Sequence, residues 1–368
     1  MERTGVGVIG CGVISEIYLE NLTTRFSGVQ VIGCADTIAE KSKARAAAYG
    51  IRQMTVEEML ACSDIHMILN LTTPRIHMEI ALAALEHGKH VYNEKPLCAT
   101  RKEAQSVMEL AKEKGLYVGC APDTFLGAGL QTARKALDDG WIGRAIAGSA
   151  FITTPGHERW HIDPAFYYQP GGGPNLDMGP YYITALVALL GPIKSVNSMS
   201  SRAYDKRVVG SGKNAGQIIP VEVDTHYSTS LTFMNGAVIT AIMSFDIWAT
   251  HLPFIEIYGT AGTLTLPDPN FFDGEVLLQS RYEDVFIPIP MQNPFTNHNL
   301  RGLGPAQMCH AIRKGTAHCA SGELALHVLE VLEAMTQASQ SGKTYTCVTS
   351  CERPAALPYG LAEAQYEF

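Results

Sequence analysis

Short apolar runs alternate with helical stretches over residues 6–123, and this alternation constrains the fold more than any other feature of the sequence. The apolar runs are rich in Val and Ile and end at Gly, Asp or Thr-Pro, whereas the stretches between them are amphipathic or rich in Ala, Lys and Glu. This alternation predicts a doubly wound parallel sheet with helices on both faces, which binds ligands at the carboxyl edge of its strands. The predicted strands are 6–10, 29–36, 65–72, 90–94 and 116–123, and the predicted helices are 14–22, 39–49, 76–87 and 101–114.

The sequence changes character after a helix predicted over 127–137. Long alternating segments follow, with little helix, and they predict an α+β domain built on a large, mainly antiparallel sheet. Asn235-Gly236 lies between two such segments and predicts a two-residue type I′ hairpin turn.

Residues 121–129 are the stretch that best resembles a linker. We therefore expect two domains, over 1–124 and 125–368. An amphipathic helix predicted over 323–338 could pack on either domain.

Composition limits the functional classes. The chain has 368 residues, 46% of them apolar and 17% charged, which is enough to bury large cores in two domains. Lys and Arg total 28 against 36 Asp and Glu, and without a basic block we expect no binding to nucleic acid or anionic membranes. The longest apolar run, 183–190, is too short to span a bilayer. Met1 to Thr4 lack the features of a secretory signal, so we expect a cytoplasmic protein.

The nine cysteines are odd in number and scattered, which disfavours a disulfide framework. Cys309-His310 and His318-Cys319 bring four soft ligands close together in sequence. Adjacent pairs do not match the spacing of structural zinc sites, so we predict no metal.

A glycine-rich turn follows the first predicted strand. Gly10 and Gly12 match the first two glycines of the dinucleotide fingerprint, and Ser15 takes the third position. Backbone N–H groups of this loop, including Cys11, Val13 and Ile14, would approach a pyrophosphate at the amino end of the helix. Asp36, at the end of the second strand, would bind the adenosine ribose and repel a 2′-phosphate. Because residues 37–39 supply no cation, we predict NAD rather than NADP.

Candidate catalytic residues lie in two later segments. Glu94-Lys95-Pro96 ends the 90–94 strand, at the edge of the sheet that carries the glycine turn, and an ammonium there could lower the pKa of a substrate hydroxyl. Asp177 and Tyr181 follow Gly171-Gly-Gly, and residues four apart share one face of a helix.

Residues 156–169 are dense in Trp, Tyr, His and Arg, directly before the glycine run. Aromatic faces stack on sugar rings and charged groups bind their hydroxyls, so this segment predicts a carbohydrate site. The loop 293–298 could line the same pocket. The candidate substrate-binding residues are Arg159, Trp160, His161, Asp163 and His298.

The order of these motifs is similar to that in the glucose-fructose oxidoreductase and inositol dehydrogenase family of NAD(P)-dependent sugar oxidoreductases. The resemblance covers essentially the whole chain and rests on Gly10-x-Gly12, Thr72-Thr73-Pro74 with His77, Glu94-Lys95-Pro96, Gly171-Gly-Gly and Asp177-x-Gly179.

The resemblance implies a Rossmann domain followed by a domain with an open-faced mixed sheet, which is commonly used for oligomer contacts. We therefore expect a homo-oligomer, either a dimer or a tetramer. It also implies that Lys95 and Asp177 are catalytic. Further cofactor-binding residues are implied at Thr72, Thr73, Pro74, His77 and Glu94, and further substrate-binding residues at Asp123 and Tyr182.

The general base is open at this point, because the family usually has His four residues after the catalytic Asp and this chain has Tyr181. A phenol with an ordinary pKa of about 10 is a poor base unless a cation stabilises the phenolate, which Lys95 and oxidised nicotinamide could do. His161 is the alternative, because imidazole titrates in the useful range. His298, or no side chain beyond Lys95, is the third option.

The expected function is NAD-dependent oxidation of a secondary hydroxyl of a sugar or glycoside, with the 3-position favoured. Three alternatives remain: an enzyme that retains NAD and cleaves or isomerises a glycoside through transient oxidation, a reductase of imines or unsaturated rings, and a sensor that binds NAD without turnover.

Overall fold

Six parallel strands form the first sheet of the computed structural model, which describes residues 3–358. Their order, β3-β2-β1-β4-β5-β6, confirms the predicted doubly wound sheet. The strands are β1 Thr4–Ile9, β2 Val29–Ala35, β3 Arg52–Gln53, β4 Met67–Asn70, β5 His90–Asn93 and β6 Val118–Cys120. The helices are α1 Ser15–Thr24, α2 Ala39–Tyr49, α3 Val56–Ala61, α4 His77–Glu86 and α5 Arg101–Lys114.

The local sequence explains these elements. Every residue of β1 and β4 is buried, as expected for central strands covered on both faces. Helix α5 begins with a capping box between Thr100 and Glu103 and ends at Gly115, whose φ is 66°. The sequence analysis missed β3 and α3, because a two-residue strand and a six-residue helix are too short to show a period.

Nine strands form the second sheet, in the order β16-β15-β14-β13-β7-β12-β11-β8-β17. One pair, β7 with β12, is parallel and the other pairs are antiparallel, which confirms the predicted mixed, mainly antiparallel sheet. The strands are β7 Ala145–Thr153, β8 Ile193–Ser201, β11 His226–Phe233, β12 Val238–Ser244, β13 Ile255–Gly259, β14 Gly262–Leu266, β15 Val276–Ser280, β16 Ile287–Ile289 and β17 Tyr345–Thr346. A separate hairpin pairs β9 Lys206–Val208 with β10 Ile218–Pro220.

The predicted type I′ turn at Asn235-Gly236 is wrong. Phe233 N donates to Ala237 O, Gly236 N donates to Phe233 O, and Gly236 has the only positive φ of the loop, 89°. A type I′ turn needs positive φ at both central residues. The loop is therefore the three-residue form with glycine at its bulge.

The helices of the second half are α6 Ala128–Asp138, α7 Pro174–Asp177, α8 Gly179–Leu190, α9 Leu303–Lys314 and α10 Gly322–Ser341. Helix α8 is buried along its whole length under the second sheet. Helix α9 packs on β1 and β6, whereas α10 packs on α5 and β6 as well as on β8 and α8. The last helix thus contacts both predicted domains.

The boundary near residue 124 stays a prediction. Met1 and Glu2, on which the expectation about a secretory signal partly rests, lie outside the described residues, as do 359–368. Within residues 3–358, no helix combines the length and apolarity that a membrane span requires.

Candidate active site

Lys95 and Asp177 form an ion pair beyond the end of β5. Lys95 Nζ lies 3.0 Å from Asp177 Oδ1 and 2.7 Å from the Asp177 carbonyl oxygen, and each side chain is 17% exposed. Burial alone would lower the pKa of Lys95, but Asp177 raises it above its ordinary value. Burial alone would raise the pKa of Asp177, but Lys95 and the ring of His157 lower it to about 2. The pair is therefore ionised at neutral pH.

The spacing of Asp177 and Tyr181 suggested that they share one helix, but the structure places them on two helices. Helix α7 ends at Asp177, Met178 separates it from α8, and Tyr181 lies in the first turn of α8. The two side chains still converge, because the Tyr181 ring centroid is 5.4 Å from Lys95 Nζ.

His157 is a site residue that the sequence analysis missed. Its Nε2 lies 2.9 Å from Asp177 Oδ2, and its side chain is 9% exposed. Within residues 3–358, its Nδ1 has no hydrogen-bond partner. The dense aromatic segment contained the signal, because His157 contacts the ring of Tyr167 at 4.3 Å between centroids.

His161 contacts other residues of the aromatic segment instead. Its Nδ1 accepts the Asp163 N–H at 3.1 Å, and its ring contacts Trp160 and Tyr167. Of the two histidines, it is His157 that touches the carboxylate of Asp177.

Several other side chains of the aromatic segment are open to solvent. Trp160 is 61% exposed and its ring centroid is 5.4 Å from that of His157. Arg159 and Asp163 are exposed, and the Arg159 guanidinium lies 4.7 Å from the ring of Trp248. These side chains form an aromatic and charged rim that begins next to the Lys95–Asp177 pair.

Arg301 is the second residue that the sequence analysis missed. It lies between β16 and α9, three residues after the loop 293–298, and its Nη2 donates to Tyr181 Oη at 3.2 Å. Asp123 fixes this loop, because its Oδ2 accepts the N–H groups of Gly302 at 3.0 Å and Gly304 at 2.9 Å. Asp123 is 1% exposed, and burial raises its pKa to about 6.

The other predicted substrate residues lie near the same loop. Tyr182 is fully buried, and burial together with Asp268 raises the pKa of its phenol. His298 is exposed, pairs with Asp273 at 2.8 Å and stacks on Phe271 at 3.9 Å. The structure therefore places Tyr182 in the core and His298 on the surface.

The glycine turn has the shape that a dinucleotide needs. Gly10 has a φ of 101°, and a side chain on Gly12 would meet no atom within 4 Å. Cys11 N–H donates to Asp36 Oδ2 at 2.7 Å, and Ile38 N–H donates to Asp36 Oδ1 at 2.8 Å, so the carboxylate is held beside the turn. Val13 is 93% exposed although it is apolar. These residues fit a pyrophosphate over Gly12 and a ribose at Asp36.

The remaining predicted cofactor residues hold the loops after β4 and β5 together. The ring nitrogens of His77 lie 2.8 Å from Pro96 O and 3.1 Å from Thr72 O, and Thr72 Oγ1 donates to Asn70 Oδ1. Thr73 precedes a short turn at Pro74–Ile76. Glu94 accepts the Tyr18 hydroxyl and the Lys95 N–H, each at 2.8 Å.

Arg45 of α2 supplies a cation near the glycine turn, although the residues directly after Asp36, 37–39, contain none. Its guanidinium donates to Ser15 Oγ at 3.2 Å, to Glu16 Oε2 at 3.0 Å and to Gly12 O at 3.4 Å. The tertiary fold thus brings a positive charge to the glycine turn from nine residues beyond Asp36.

No metal centre is evident: the part of the chain that the structure describes holds no group of three or more His, Cys, Asp and Glu side chains arranged to bind a metal ion. Cys309 is fully buried on α9, and Cys319 is also buried.

Two family models match this chain. One, described as "Oxidoreductase family, NAD-binding Rossmann fold", matches residues 4–121, and the other, "GFO/IDH/MocA C-terminal domain", matches residues 130–265.

Three curated proteins are similar in sequence. The 1,5-anhydro-D-fructose reductase of Ensifer adhaerens is 28% identical, over 70% of this chain and 74% of its own. The levoglucosan dehydrogenase of Pseudarthrobacter phenanthrenivorans is 26% identical, over 72% and 73%. The dTDP-3,4-didehydro-2,6-dideoxy-alpha-D-glucose 3-reductase of Streptomyces antibioticus is 29% identical, over 72% and 75%.

Solved structures share the fold. A levoglucosan dehydrogenase in complex with NADH and L-sorbose superposes with a TM-score of 0.80 at 21% identity, over 94% of this chain and 99% of its own. The aldose-aldose oxidoreductase of Caulobacter crescentus, in complex with glycerol, gives 0.79 at 20% identity, over 94% and 100%.

Proposed function

This chain belongs to the GFO/IDH/MocA oxidoreductase family, and on that premise we propose that it is an NAD-dependent dehydrogenase that oxidises a secondary hydroxyl of a sugar or glycoside to a ketone. We favour the 3-position. The observation that carries the proposal is the 3.0 Å pair of Lys95 and Asp177, which lies with Tyr181 at the same edge of the sheet as the glycine turn.

Each site residue has a chemical task in this reaction. Lys95 donates a hydrogen bond to the substrate hydroxyl and stabilises the negative charge that develops on its oxygen. Asp177 orients the ammonium through its carbonyl and its carboxylate. Tyr181 accepts the hydroxyl proton. NAD, when bound, supplies a hydride acceptor.

The preference for NAD rests on Asp36. Its carboxylate is held beside the turn by two backbone N–H groups and would repel a 2′-phosphate. Arg45 does not reverse this preference, because Glu16 and Ser15 already accept hydrogen bonds from its guanidinium.

A carbohydrate substrate is supported by the names of the similar proteins, which act on sugars, and by the aromatic rim at Trp160. The 3-position is supported by the similar 3-reductase. The cytoplasmic location and the homo-oligomeric state stay predictions.

The test is turnover of NAD with a panel of free sugars and glycosides, followed by the absorbance of NADH, with the ketone located by NMR. We expect NADH and a 3-keto product from the wild-type protein, and a fall in kcat of at least about 100-fold in Lys95→Met with little change in NAD binding. Near-wild-type turnover in Lys95→Met would refute the role of Lys95. Regeneration of NAD without released ketone would favour a glycoside-cleaving enzyme, and NAD binding without turnover would favour a sensor.

Tyr181→Phe and His161→Leu separate the candidate bases. If Tyr181 is the base, Tyr181→Phe loses most of kcat and His161→Leu keeps it. The reverse result would assign the base to His161.

A further inference from the structure

Arg301 is a buried cation bonded to neutral groups. Its side chain is 8% exposed, and it donates to Tyr181 Oη at 3.2 Å, Asn270 Oδ1 at 2.8 Å and Asn299 Oδ1 at 2.9 Å. In residues 3–358, no carboxylate oxygen lies within the 4.0 Å of an ion pair with it. A buried charge without a counterion is costly. The group best placed to supply a negative charge is the oxygen of Tyr181.

The carboxylates in this region serve other groups. Asp177 pairs with Lys95 and His157, Glu94 accepts from Tyr18 and from the Lys95 backbone, and Asp123 accepts from Gly302 and Gly304.

We propose that Arg301 is a positioning residue that stabilises the phenolate form of Tyr181 and so makes a tyrosine serve as general base where the family usually has histidine. The proposal rests on the proposed function. Arg301 does not touch the substrate in this scheme and acts through Tyr181.

Two cations flank the Tyr181 ring. Lys95 Nζ lies 5.4 Å and the Arg301 guanidinium carbon 5.8 Å from its centroid. Burial acts to lower the pKa of Arg301, but Tyr181, with smaller contributions from Tyr18 and Glu94, more than offsets this and raises it, so the guanidinium stays charged.

The other titratable groups that face Tyr181 and Arg301 do not take over the role proposed for these two residues. Burial raises the pKa of Tyr167 to about 12, so its phenol stays protonated at neutral pH. The groups that face Tyr181 and Arg301 are Tyr18 of α1, Glu94 and Lys95 after β5, Asp123 after β6, Tyr167 of the aromatic segment and Asp177 of α7.

The proton and electron balance is simple. The Tyr181 phenolate takes the hydroxyl proton, and the carbon–oxygen single bond becomes the double bond of the ketone. The hydrogen on that carbon leaves with its electron pair as a hydride, for which the oxidised NAD of the proposed function would be the acceptor. The phenol then returns its proton to solvent. The rate of oxidation therefore follows the fraction of Tyr181 that is ionised.

The experiment is the pH profile of kcat for sugar oxidation in wild-type protein and three variants. Arg301→Met removes the charge, and we expect kcat at pH 7 to fall by about 10- to 100-fold and the profile to move about one to two pH units to the alkaline side, with recovery at high pH. Arg301→Lys keeps a charge and should restore part of the activity and most of the profile. Asn270→Asp gives Arg301 a carboxylate partner and should also move the profile to the alkaline side without removing the guanidinium.

Asn299→Ala is the matched control, since it removes a hydrogen bond to Arg301 but leaves the charge and should leave the position of the profile in place. In Tyr181→Phe, adding Arg301→Met should cost no further activity, because both changes remove the same effect, the stabilised phenolate of Tyr181. An unmoved profile in both Arg301→Met and Asn270→Asp, or additive losses in the double variant, would overturn the proposal.

A second measurement needs no substrate. Ultraviolet absorbance of tyrosinate, followed against pH, should show one early ionisation in the wild-type protein that is absent in Tyr181→Phe and delayed in Arg301→Met. If no sugar is oxidised but this ionisation behaves as expected, the proposed function fails and the Arg301–Tyr181 inference stands. The opposite pair of results would leave the dehydrogenase and remove the role of Arg301.

Discussion

Single residues decide how the carboxylate of Asp177 is held. His157 and Lys95 contact the two different oxygens of Asp177, at 2.9 Å and 3.0 Å. With both oxygens engaged, Asp177 is held in one orientation beside Lys95. His157 is therefore a positioning residue for the pair.

Two variants of His157 test this role. His157→Gln can still donate from an amide nitrogen to Asp177, whereas His157→Leu cannot, and we expect kcat to fall about tenfold or more in the Leu variant and far less in the Gln variant. KM for NAD should change little in either. Equal losses in both variants, measured by steady-state kinetics, would show that the ring does more than orient Asp177.

The two glycines of the turn have different tasks, and substitutions separate them. Gly10 has positive φ, and a Cβ on it would lie 2.7 Å from the backbone of Leu71, so Gly10→Ala should cost about 1–3 kcal/mol of folding free energy. In Gly12→Val the new side chain would point into open space, so Tm without ligand should fall by less than about 2 °C. The same side chain would occupy the place of the pyrophosphate. Thermal melts with and without NAD check this, and a normal NAD-induced rise in Tm for Gly12→Val would contradict the assignment of the turn.

Within the aromatic segment, buried charges hold the element that carries His157. Arg207 of β9 pairs with Glu158 at 2.8 Å and with Asp246, and its side chain is 7% exposed. Glu158 follows His157 directly and also accepts the hydroxyl of Tyr168. The β9–β10 hairpin thus anchors the segment without contributing to the Lys95–Asp177 pair itself.

Removing Arg207 should loosen this element. Arg207→Met leaves Glu158 and Asp246 buried without their cation, and we expect a loss of about 3–5 kcal/mol in urea unfolding together with faster hydrogen exchange over 156–168. The matched control is Arg202→Met, whose ion pair with the exposed Asp205 should contribute at most about 1 kcal/mol. Similar losses in the two variants would mean that the buried network does not hold the segment.

For the whole molecule, two half-buried histidines at the amino edge of the first sheet limit stability in acid. Burial lowers the pKa of His90 and of His318 to about 4 each, and both rings contact Tyr117. The unfolded chain takes up protons below its ordinary histidine pKa of about 6.5, whereas these two sites resist protonation until about pH 4. Stability should therefore fall as the pH drops from about 6.5 to 4.

His318→Phe tests this window by removing one of these sites. We expect the loss of unfolding free energy between pH 7 and pH 5 to be smaller in the variant than in the wild type, by about 1–2 kcal/mol in urea melts, with unchanged activity at pH 7. The exposed His251→Phe is the control and should behave as wild type. An equal acid-induced loss in wild-type protein and His318→Phe would exclude His318 as a cause.

Helix α10 joins the two halves of the molecule. Its Leu329 lies in the core of the first domain, and its Leu332 lies in the larger core that extends under the second sheet. The amphipathic period of 323–338 showed the helix, but a period identifies an apolar face without identifying what covers it.

The sequence alone determined the features that depend on local pattern. The parallel sheet, the glycine turn with Asp36, and the candidates Lys95, Asp177 and Tyr181 follow from periodicity, loop chemistry and motif order, because these are written in contiguous residues. The prediction of a two-residue turn at Asn235-Gly236 was wrong, because this dipeptide occurs in hairpin loops of more than one length.

Only the tertiary structure decided which residues complete the site. His157 reaches Asp177 across 20 positions, Arg301 reaches Tyr181 across 120, and Arg45 reaches the glycine turn from the next helix. The aromatic pattern of 156–169 marked the segment that carries His157, but no local pattern shows which side chain of a segment reaches a distant partner. Such contacts form only when the two sheets and their loops pack together, and the resulting desolvation makes a buried charge depend on its neighbours.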